Sequence, residues 1–188
     1  IGAATAYHLV RRGHEVTLFE AGEDVGGQFN IAKQIPGKEE FYETLRYFRN
    51  EIKLSGVKAQ FNTRLGVDEL VQGGFDEILL ATGVTPRTPA IEGVDHPKVL
   101  SYLDVLRDKK PVGKNVAVIG AGGIGFDVSE YLTHEGESPS LNLAKFNAEW
   151  GIDSEYKDRG GIKAPHLDKA PRQIYLLQRK TSKVGDGL

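Results

Sequence analysis

The sequence predicts an α/β protein made of two Rossmann-like, three-layer nucleotide-binding units, of which the first is truncated at its N-terminus. Segments typical of strands and of helices alternate along the chain, as they do around a mostly parallel sheet. A glycine-rich turn, Gly120-Ala121-Gly122-Gly123-Ile124-Gly125, separates a strand-like run from a helix-like run. A partial copy of the same pattern stands at the start of the chain.

Composition excludes several classes of function. The chain has 188 residues, 39% of them hydrophobic, and a formal net charge of −2. This near-neutral charge gives no bulk attraction to nucleic acid or to an anionic membrane, and no run of about 18 apolar residues predicts a membrane span. The absence of cysteine excludes a disulfide scaffold, a thiolate metal site and a Cys-x-x-Cys redox pair within these residues. The histidines are scattered without ligand spacing, so we expect no metal site.

Local patterns predict the individual elements. Phe41, Leu45, Phe48 and Ile52 recur every three or four residues, which is the period of an amphipathic helix. On such patterns, helices are predicted over residues 3–10, 38–54, 68–72, 101–107 and 125–133. Strands are predicted over residues 15–20, 57–61, 76–81, 114–119 and 173–178. We expect one domain over residues 1–105 and a second over 106–188, the latter with a polar insertion at about 136–172.

The glycine-rich turn predicts a dinucleotide site. Gly120 would permit the tight turn, Gly122 would let a pyrophosphate approach the backbone, and Gly125 would let helix and strand pack closely. Gly123 and Ile124 complete the start of the helix, where unpaired N–H groups and the helix dipole favour a phosphate. The alternative is a glycine-rich turn without a ligand.

The end of the following strand indicates which nucleotide binds. An acid at that position would hold the ribose 2′-hydroxyl of NAD(H), whereas basic residues favour the 2′-phosphate of NADP(H). Here the strand ends in Gln178 and is followed by Arg179, Lys180 and Lys183, so we predict NADP(H). Gln178 lies 53 residues past Gly125, against about 20 in a compact unit. Either residues 136–172 are an insertion, which we prefer, or the second strand lies elsewhere.

A second nucleotide site, for FAD, is predicted near the N-terminus. Gly2 and Glu20 have the spacing of the third glycine of a fingerprint and of a ribose-binding acid at a strand end. The preceding strand would then lie before Ile1, and the absence of methionine agrees with a segment of a longer protein. Gly26-Gly27-Gln28 and Ala81-Thr82-Gly83 are loops that could approach the flavin, although both patterns also suit simple turns.

Several of these segments resemble the NADPH-dependent 2,4-dienoyl-CoA reductases of bacteria. The similarity covers nearly the whole chain, including the polar insertion with its Glu149-Trp150-Gly151-Ile152-Asp153. Its other segments are Phe19-Glu20-Ala21, Gly26-Gly27-Gln28-Phe29-Asn30-Ile31-Ala32-Lys33, Pro36-Gly37-Lys38-Glu39-Glu40-Phe41, Leu80-Ala81-Thr82-Gly83, His96-Pro97-Lys98-Val99-Leu100-Ser101-Tyr102-Leu103-Asp104-Val105-Leu106, the glycine-rich turn, and Gln178-Arg179-Lys180.

The resemblance implies an iron–sulfur flavoprotein of fatty-acid β-oxidation, expected in the cytoplasm. In that family a barrel domain carries FMN, a 4Fe-4S cluster and the substrate site. The part that this chain resembles holds FAD and NADPH, so its partners would be NADPH and the barrel of its own polypeptide. No catalytic residue for dienoyl-CoA reduction is expected here, and the chain by itself would bind nucleotide without reducing that substrate.

Three other interpretations stay open. A dithiol-dependent pyridine-nucleotide reductase has two similar nucleotide domains, but the absence of cysteine counts against it. A related enoate reductase or amine dehydrogenase shares the barrel-plus-nucleotide architecture. In the amine dehydrogenase the second site need not accept NADPH, so Arg179 and Lys180 would distinguish the reductase from it. The third is a non-catalytic binding module with a vestigial nucleotide site.

Overall fold

A computed structural model describes residues 1–185, which form two compact units. Unit 1 comprises Ile1–Asn30 and Glu40–Glu92, and unit 2 comprises Ile31–Glu39 and the chain from Gly93 onward. Both units combine helices with a small parallel sheet, so the architecture is mixed α/β as predicted. Each sheet has two strands within the described residues, and two complete three-layer units therefore stay a prediction.

Unit 1 is built on two short parallel strands. The elements of this part of the chain are α1 (Gly2–Arg11), β1 (Thr17–Phe19), α2 (Phe29–Ala32), α3 (Phe41–Ser55), β2 (Lys58–Gln60) and α4 (Val67–Gln72). β1 and β2 pair with Thr17 opposite Lys58. Ala6, Val25, Ile52 and Val57 form the buried core. Of the periodic positions on α3, Leu45 and Ile52 are buried, which confirms the predicted amphipathic helix.

The strand predicted over residues 76–81 is wrong. Residues 76–91 form neither helix nor strand, and Ile78, Leu79 and Leu80 are 43%, 64% and 78% exposed. A strand requires a neighbour for its backbone N–H and C=O groups, and within residues 1–185 no strand lies beside this segment. Apolar composition is therefore not enough to make a strand here.

Unit 2 contains the second parallel pair. Its elements are α5 (Tyr102–Leu106), β3 (Asn115–Ile119), α6 (Gly123–Thr133), α7 (Leu143–Glu149) and β4 (Gln173–Leu177). β3 and β4 pair along their whole length, with Asn115 opposite Gln173 and Ile119 opposite Leu177. The strand that follows the glycine-rich turn is thus at residues 173–177, and residues 136–172 are an excursion between α6 and β4. This pairing agrees with the preferred interpretation, whose NADP(H)-binding domain stays a prediction.

A segment distant in sequence completes the core of unit 2. Ile35 is 2% exposed and packs in a cluster with Val105, Leu106, Val128 and Leu132. This burial explains why Ile31–Glu39 belongs to unit 2. The division differs from a boundary near residue 105, and the assignment of FAD and NADP(H) to the two units stays a prediction.

The same segment is also held by a partly buried ion pair. Lys38 Nζ lies 2.6 Å from Asp127 Oδ1 and 2.7 Å from Oδ2, so both carboxylate oxygens of this α6 residue accept from one ammonium group. The side chains of Lys38 and Asp127 are 38% and 28% exposed. Ile31–Glu39 is therefore tied to unit 2 by both apolar burial and charge.

The excursion between α6 and β4 is organised around Asp153. This residue is 7% exposed, and its carboxylate accepts hydrogen bonds from the backbone N–H groups of Asp158 and Glu155, at 2.8 and 3.1 Å. The Asp153 N–H donates to the Gly161 carbonyl at 2.9 Å. The N–H donation from Asp158, followed by that from Glu155, holds the pKa of Asp153 below its ordinary value.

The glycine-rich turn between β3 and α6 depends on two glycines for its shape. Gly120 has a φ of 118°, a conformation that side chains disfavour. At Gly125, an added Cβ would lie 2.9 Å from the carbonyl carbon of Gly120 and closer still to its oxygen. Gly123, in contrast, has nothing within 4 Å of the Cβ position. The roles predicted for Gly120 in turning and for Gly125 in close packing agree with this geometry.

Gly125→Ala should destabilise unit 2 by about 1–3 kcal/mol, the usual cost of forcing an atom into a packed site. Gly123→Ala is the matched control, because it adds the same methyl group to the same helix end in open space. Denaturant unfolding followed by circular dichroism compares the two. Equal stabilities would contradict the close packing of Gly125.

Asp153→Asn should lower the melting temperature near neutral pH, because a neutral amide oxygen is a weaker acceptor for the two N–H donors. Since the folded-state pKa is depressed, the contribution of the carboxylate is present above about pH 4 and is lost as the pH falls through the folded-state value. The melting temperatures of the variant and the parent should therefore converge in acid. If the difference in melting temperature stayed constant from neutral pH into acid, the charge of Asp153 would not be the cause of the destabilisation.

Candidate nucleotide-binding sites

The start of α6 has the geometry of an anion site. Gly122 caps the helix in an extended conformation, with φ −94° and ψ −176°. The N–H groups of the first helical turn have no acceptor inside the helix, and the helix dipole adds partial positive charge. An added Cβ at Gly122 or Gly123 would meet nothing within 4 Å, so the space over this helix end is open. The arrangement suits the pyrophosphate predicted for it.

The end of β4 lies directly beside this turn. The Gly120 N–H donates to the Leu177 carbonyl at 2.8 Å, which extends the β3–β4 ladder into the turn. Arg179, Lys180 and Lys183 follow β4 and are exposed. Within residues 1–185 none of the three is held in an ion pair, so their charges are available to an anionic ligand. The structure thus brings the predicted 2′-phosphate residues to the same end of the sheet as the predicted pyrophosphate residues.

The loop after β4 has an internal support that the sequence did not indicate. Gln178 Nε2 donates to the Lys180 carbonyl at 3.0 Å and also to the Ser182 carbonyl. The sequence identified Gln178 only as the end of a strand lacking an acid. No motif distinguishes a glutamine that bonds to its own loop from one that is solvated.

In unit 1 the structure brings together two of the residues predicted for FAD. An added Cβ on Gly2 would lie 3.3 Å from Ala81 Cβ and 3.7 Å from Leu18 Cδ1. The first residue of α1 therefore packs closely against β1 and against the loop that continues to Thr82 and Gly83. This is the role expected of the third glycine in a fingerprint. Ala81, Thr82 and Gly83 are exposed.

Glu20 follows β1, where a ribose-binding acid is expected. Its N–H donates to the Gln60 carbonyl at 3.0 Å, one residue beyond the strand. Its Oε1 accepts from the Gly22 N–H at 2.8 Å, so the carboxylate is held by the loop that follows. An oriented carboxylate at the carboxyl end of a parallel strand suits the hydroxyl groups of a ribose.

The loop with Gly26, Gly27 and Gln28 serves packing as well as any ligand. An added Cβ on Gly26 would overlap the side chains of Leu45 and Asn30, so the small residue here lets the loop approach α3. Gly27 has open space around its Cβ position, and both Gly27 and Gln28 are exposed. Contact with a flavin stays a prediction for all three.

Unit 1 also has a cavity that the sequence did not predict. Its volume is about 420 Å³, and Val25, Ile52 and Val57 from the core line it. Arg49 and Asp24 stand at its wall and form an ion pair with a 2.5 Å separation. None of the residues predicted for FAD lines this cavity.

Within residues 1–185 no three His, Asp or Glu side chains are grouped as metal ligands would be. In the same residues no helix combines the length and the apolar character that crossing a bilayer requires.

Known proteins similar to this chain are redox enzymes. A cinnamate reductase of Clostridium sporogenes is 35% identical over 131 residues, which is 69% of this chain and 19% of that protein. An NADH oxidase of Thermoanaerobacter brockii is 30% identical over 158 residues, 82% of this chain and 24% of that protein. A solved structure of 2-naphthoyl-CoA reductase with 2-naphthoyl-CoA matches with a TM-score of 0.66 and 31% identity, over 70% of this chain and 20% of that one. The chain spans about a fifth of the length of these relatives.

A family model also matches the chain. The family is described as pyridine nucleotide-disulphide oxidoreductase, and its model matches residues 2–150, which include α1 and the glycine-rich turn. These 188 residues contain no cysteine, so no disulphide-forming pair lies within them. Because the match covers well over half of its length, the chain belongs to the pyridine nucleotide-disulphide oxidoreductase family and is a flavin- and NAD(P)-dependent oxidoreductase module.

Proposed function

We propose that this chain is the electron-input module of a longer flavoprotein reductase, with NADPH bound by unit 2 and FAD bound by unit 1. When bound, NADPH supplies a hydride and FAD accepts it, while the residues of this chain hold and orient the two cofactors. The observation that carries the proposal is the open, glycine-lined start of α6 beside the basic end of β4.

The choice of NADPH over NADH depends on the end of β4. Arg179 can pair through two N–H groups with a phosphate, and Lys180 and Lys183 add positive charge. Gln178 occupies the strand end where NAD(H)-binding units place an acid. One relative is an NADH oxidase, so relatives do not decide the point for this chain.

The FAD assignment has support from the packing of unit 1. Gly2 lies close to Ala81 at the start of α1, and Glu20 is oriented at the end of β1. Gly26-Gly27-Gln28 and Thr82-Gly83 are the loops proposed to approach the flavin. The fit is partial, because among the described residues, 1–185, no strand pairs with residues 76–81 to complete the sheet.

For the complete polypeptide we propose reduction of a conjugated acyl-CoA, in particular a 2,4-dienoyl-CoA of fatty-acid β-oxidation. FMN, a 4Fe-4S cluster and the substrate site would lie in a barrel outside this chain, and a cytoplasmic location is part of the same proposal. The relatives named cinnamate reductase and 2-naphthoyl-CoA reductase support a conjugated carboxylic substrate. The second candidate is a related enoate reductase, which the cinnamate reductase favours.

The substrate is tested with the complete polypeptide that carries this chain. NADPH oxidation is followed by its absorbance at 340 nm. A 2,4-dienoyl-CoA should accelerate this oxidation, and cinnamate should not. Acceleration by cinnamate alone would replace the first candidate by the second.

Arg179→Ala should weaken NADPH binding by about tenfold or more, the loss expected for a charged hydrogen bond, because the 2′-phosphate loses its guanidinium partner. NADH has no such phosphate, so its affinity should change little. Isothermal titration calorimetry with each nucleotide gives both dissociation constants. Arg172→Ala is the control, because Arg172 precedes β4 and its Nη1 donates to the Leu132 carbonyl, at the opposite end of the strand from Arg179.

Two results would contradict the assignment. Equal losses for NADPH and NADH would show that Arg179 does not recognise the 2′-phosphate. A parent chain that prefers NADH would remove the proposed role of Arg179, Lys180 and Lys183 altogether.

A further inference from the structure

The loop that follows β4 is closed by one side chain. Gln178 Nε2 donates to the carbonyl of Lys180 at 3.0 Å and to the carbonyl of Ser182. These two carbonyls flank Thr181, so the amide holds the backbone on both sides of the middle of the loop. The residue itself follows Leu177, whose carbonyl is bonded to the Gly120 N–H.

Glutamine is chemically suited to this position. Its side-chain amide has two N–H donors on one nitrogen and can serve two carbonyl oxygens at once. A glutamate of the same shape has no donor when ionised, and its charge would repel both carbonyls. An alanine would leave the carbonyls to water and the loop to a wider range of conformations.

The hydrogen bonds of Gln178 restrict a loop that carries the cations predicted to bind the 2′-phosphate. Arg179, Lys180 and Lys183 are exposed cations on long side chains, and each loses rotamer freedom when it binds a phosphate. If hydrogen bonds already restrict the loop backbone, less conformational entropy of the backbone is lost when the cations bind a phosphate. Since only the 2′-phosphate uses these cations, the effect should appear with NADPH and not with NADH.

We propose that Gln178 is a specificity-determining positioning residue, which holds residues 179–183 in the arrangement that receives a 2′-phosphate without touching the nucleotide itself. The inference rests on the proposed function. It adds to that function a residue whose contribution to specificity passes through the loop backbone.

The test compares Gln178→Ala and Gln178→Glu with Gln173→Ala in the full chain. Gln173 is the same residue type at the other end of β4, where its side chain makes only a 3.4 Å contact with the adjacent Ile174 carbonyl. NADPH and NADH dissociation constants and the melting temperature are measured for each protein. NADPH titrations are repeated at two salt concentrations.

Gln178→Ala should weaken NADPH about fivefold to tenfold, the size expected for one or two exposed hydrogen bonds, and leave NADH nearly unchanged. Gln178→Glu should weaken NADPH at least as much and should not weaken NADH, because an acid at this strand end can also hold a ribose 2′-hydroxyl, so the effect on the loop is judged from Gln178→Ala. Salt should affect NADPH binding less in both variants than in the parent, because fewer ion pairs form with the 2′-phosphate. Gln173→Ala should behave as the parent does.

An unchanged ratio of NADPH to NADH affinity in Gln178→Ala would overturn the inference, whether neither nucleotide loses affinity or both lose it equally. If the parent prefers NADPH and Gln178→Ala prefers it by the same factor, the inference alone fails. If the parent shows no preference for NADPH, the proposed function fails and the inference fails with it.

Discussion

The hydrogen bond from the Gly120 N–H to the Leu177 carbonyl is the interaction on which the proposed nucleotide site depends. It continues the parallel β3–β4 ladder by one residue, into the glycine-rich turn on one side and up to the basic loop on the other. Gly120 and Leu177, which are 57 positions apart in sequence, thereby lie at the same end of one sheet. Without this pairing, the proposed anion site at α6 and the cations after β4 would be unrelated surface features.

In unit 2, side chains from segments distant in sequence pack around α6 and the β3–β4 pair. Gly125 lets α6 approach the turn to backbone contact, and Val128 and Leu132 of the same helix enter the core. Ile35 completes that core from outside the contiguous sequence of the unit. Burying an apolar side chain of this size is worth about 1.5–3 kcal/mol, so Ile35 contributes to holding its segment in the core together with the Lys38–Asp127 ion pair. The glycine-rich turn is therefore supported by a hydrophobic core whose buried residues all lie outside the turn.

The sequence predicted what depends on local pattern. Helices α1, α3 and α6 and the strand pair β3–β4 were correct because periodic apolar positions and the glycine spacing are short-range signals. The strand at residues 76–81 failed because strand formation requires a neighbour, which no local pattern reports. Ile35 is preceded at helical spacing by Ile31 alone, too short a pattern to predict burial, and Asp153 and Gln178 act through hydrogen bonds to nearby backbone. None of these three roles has a sequence motif, so only the folded chain reveals them.

The most direct measurement of the central claim is an amide NMR titration of the chain with NADP⁺. The account predicts that the largest shifts fall on two segments, residues 120–125 and residues 179–183, and that both respond with one dissociation constant. Titration with NAD⁺ should reproduce the shifts of the glycine-rich turn and reduce those after β4. Shifts confined to other surfaces, or two segments that titrate independently, would contradict a single site built across the β3–β4 pair.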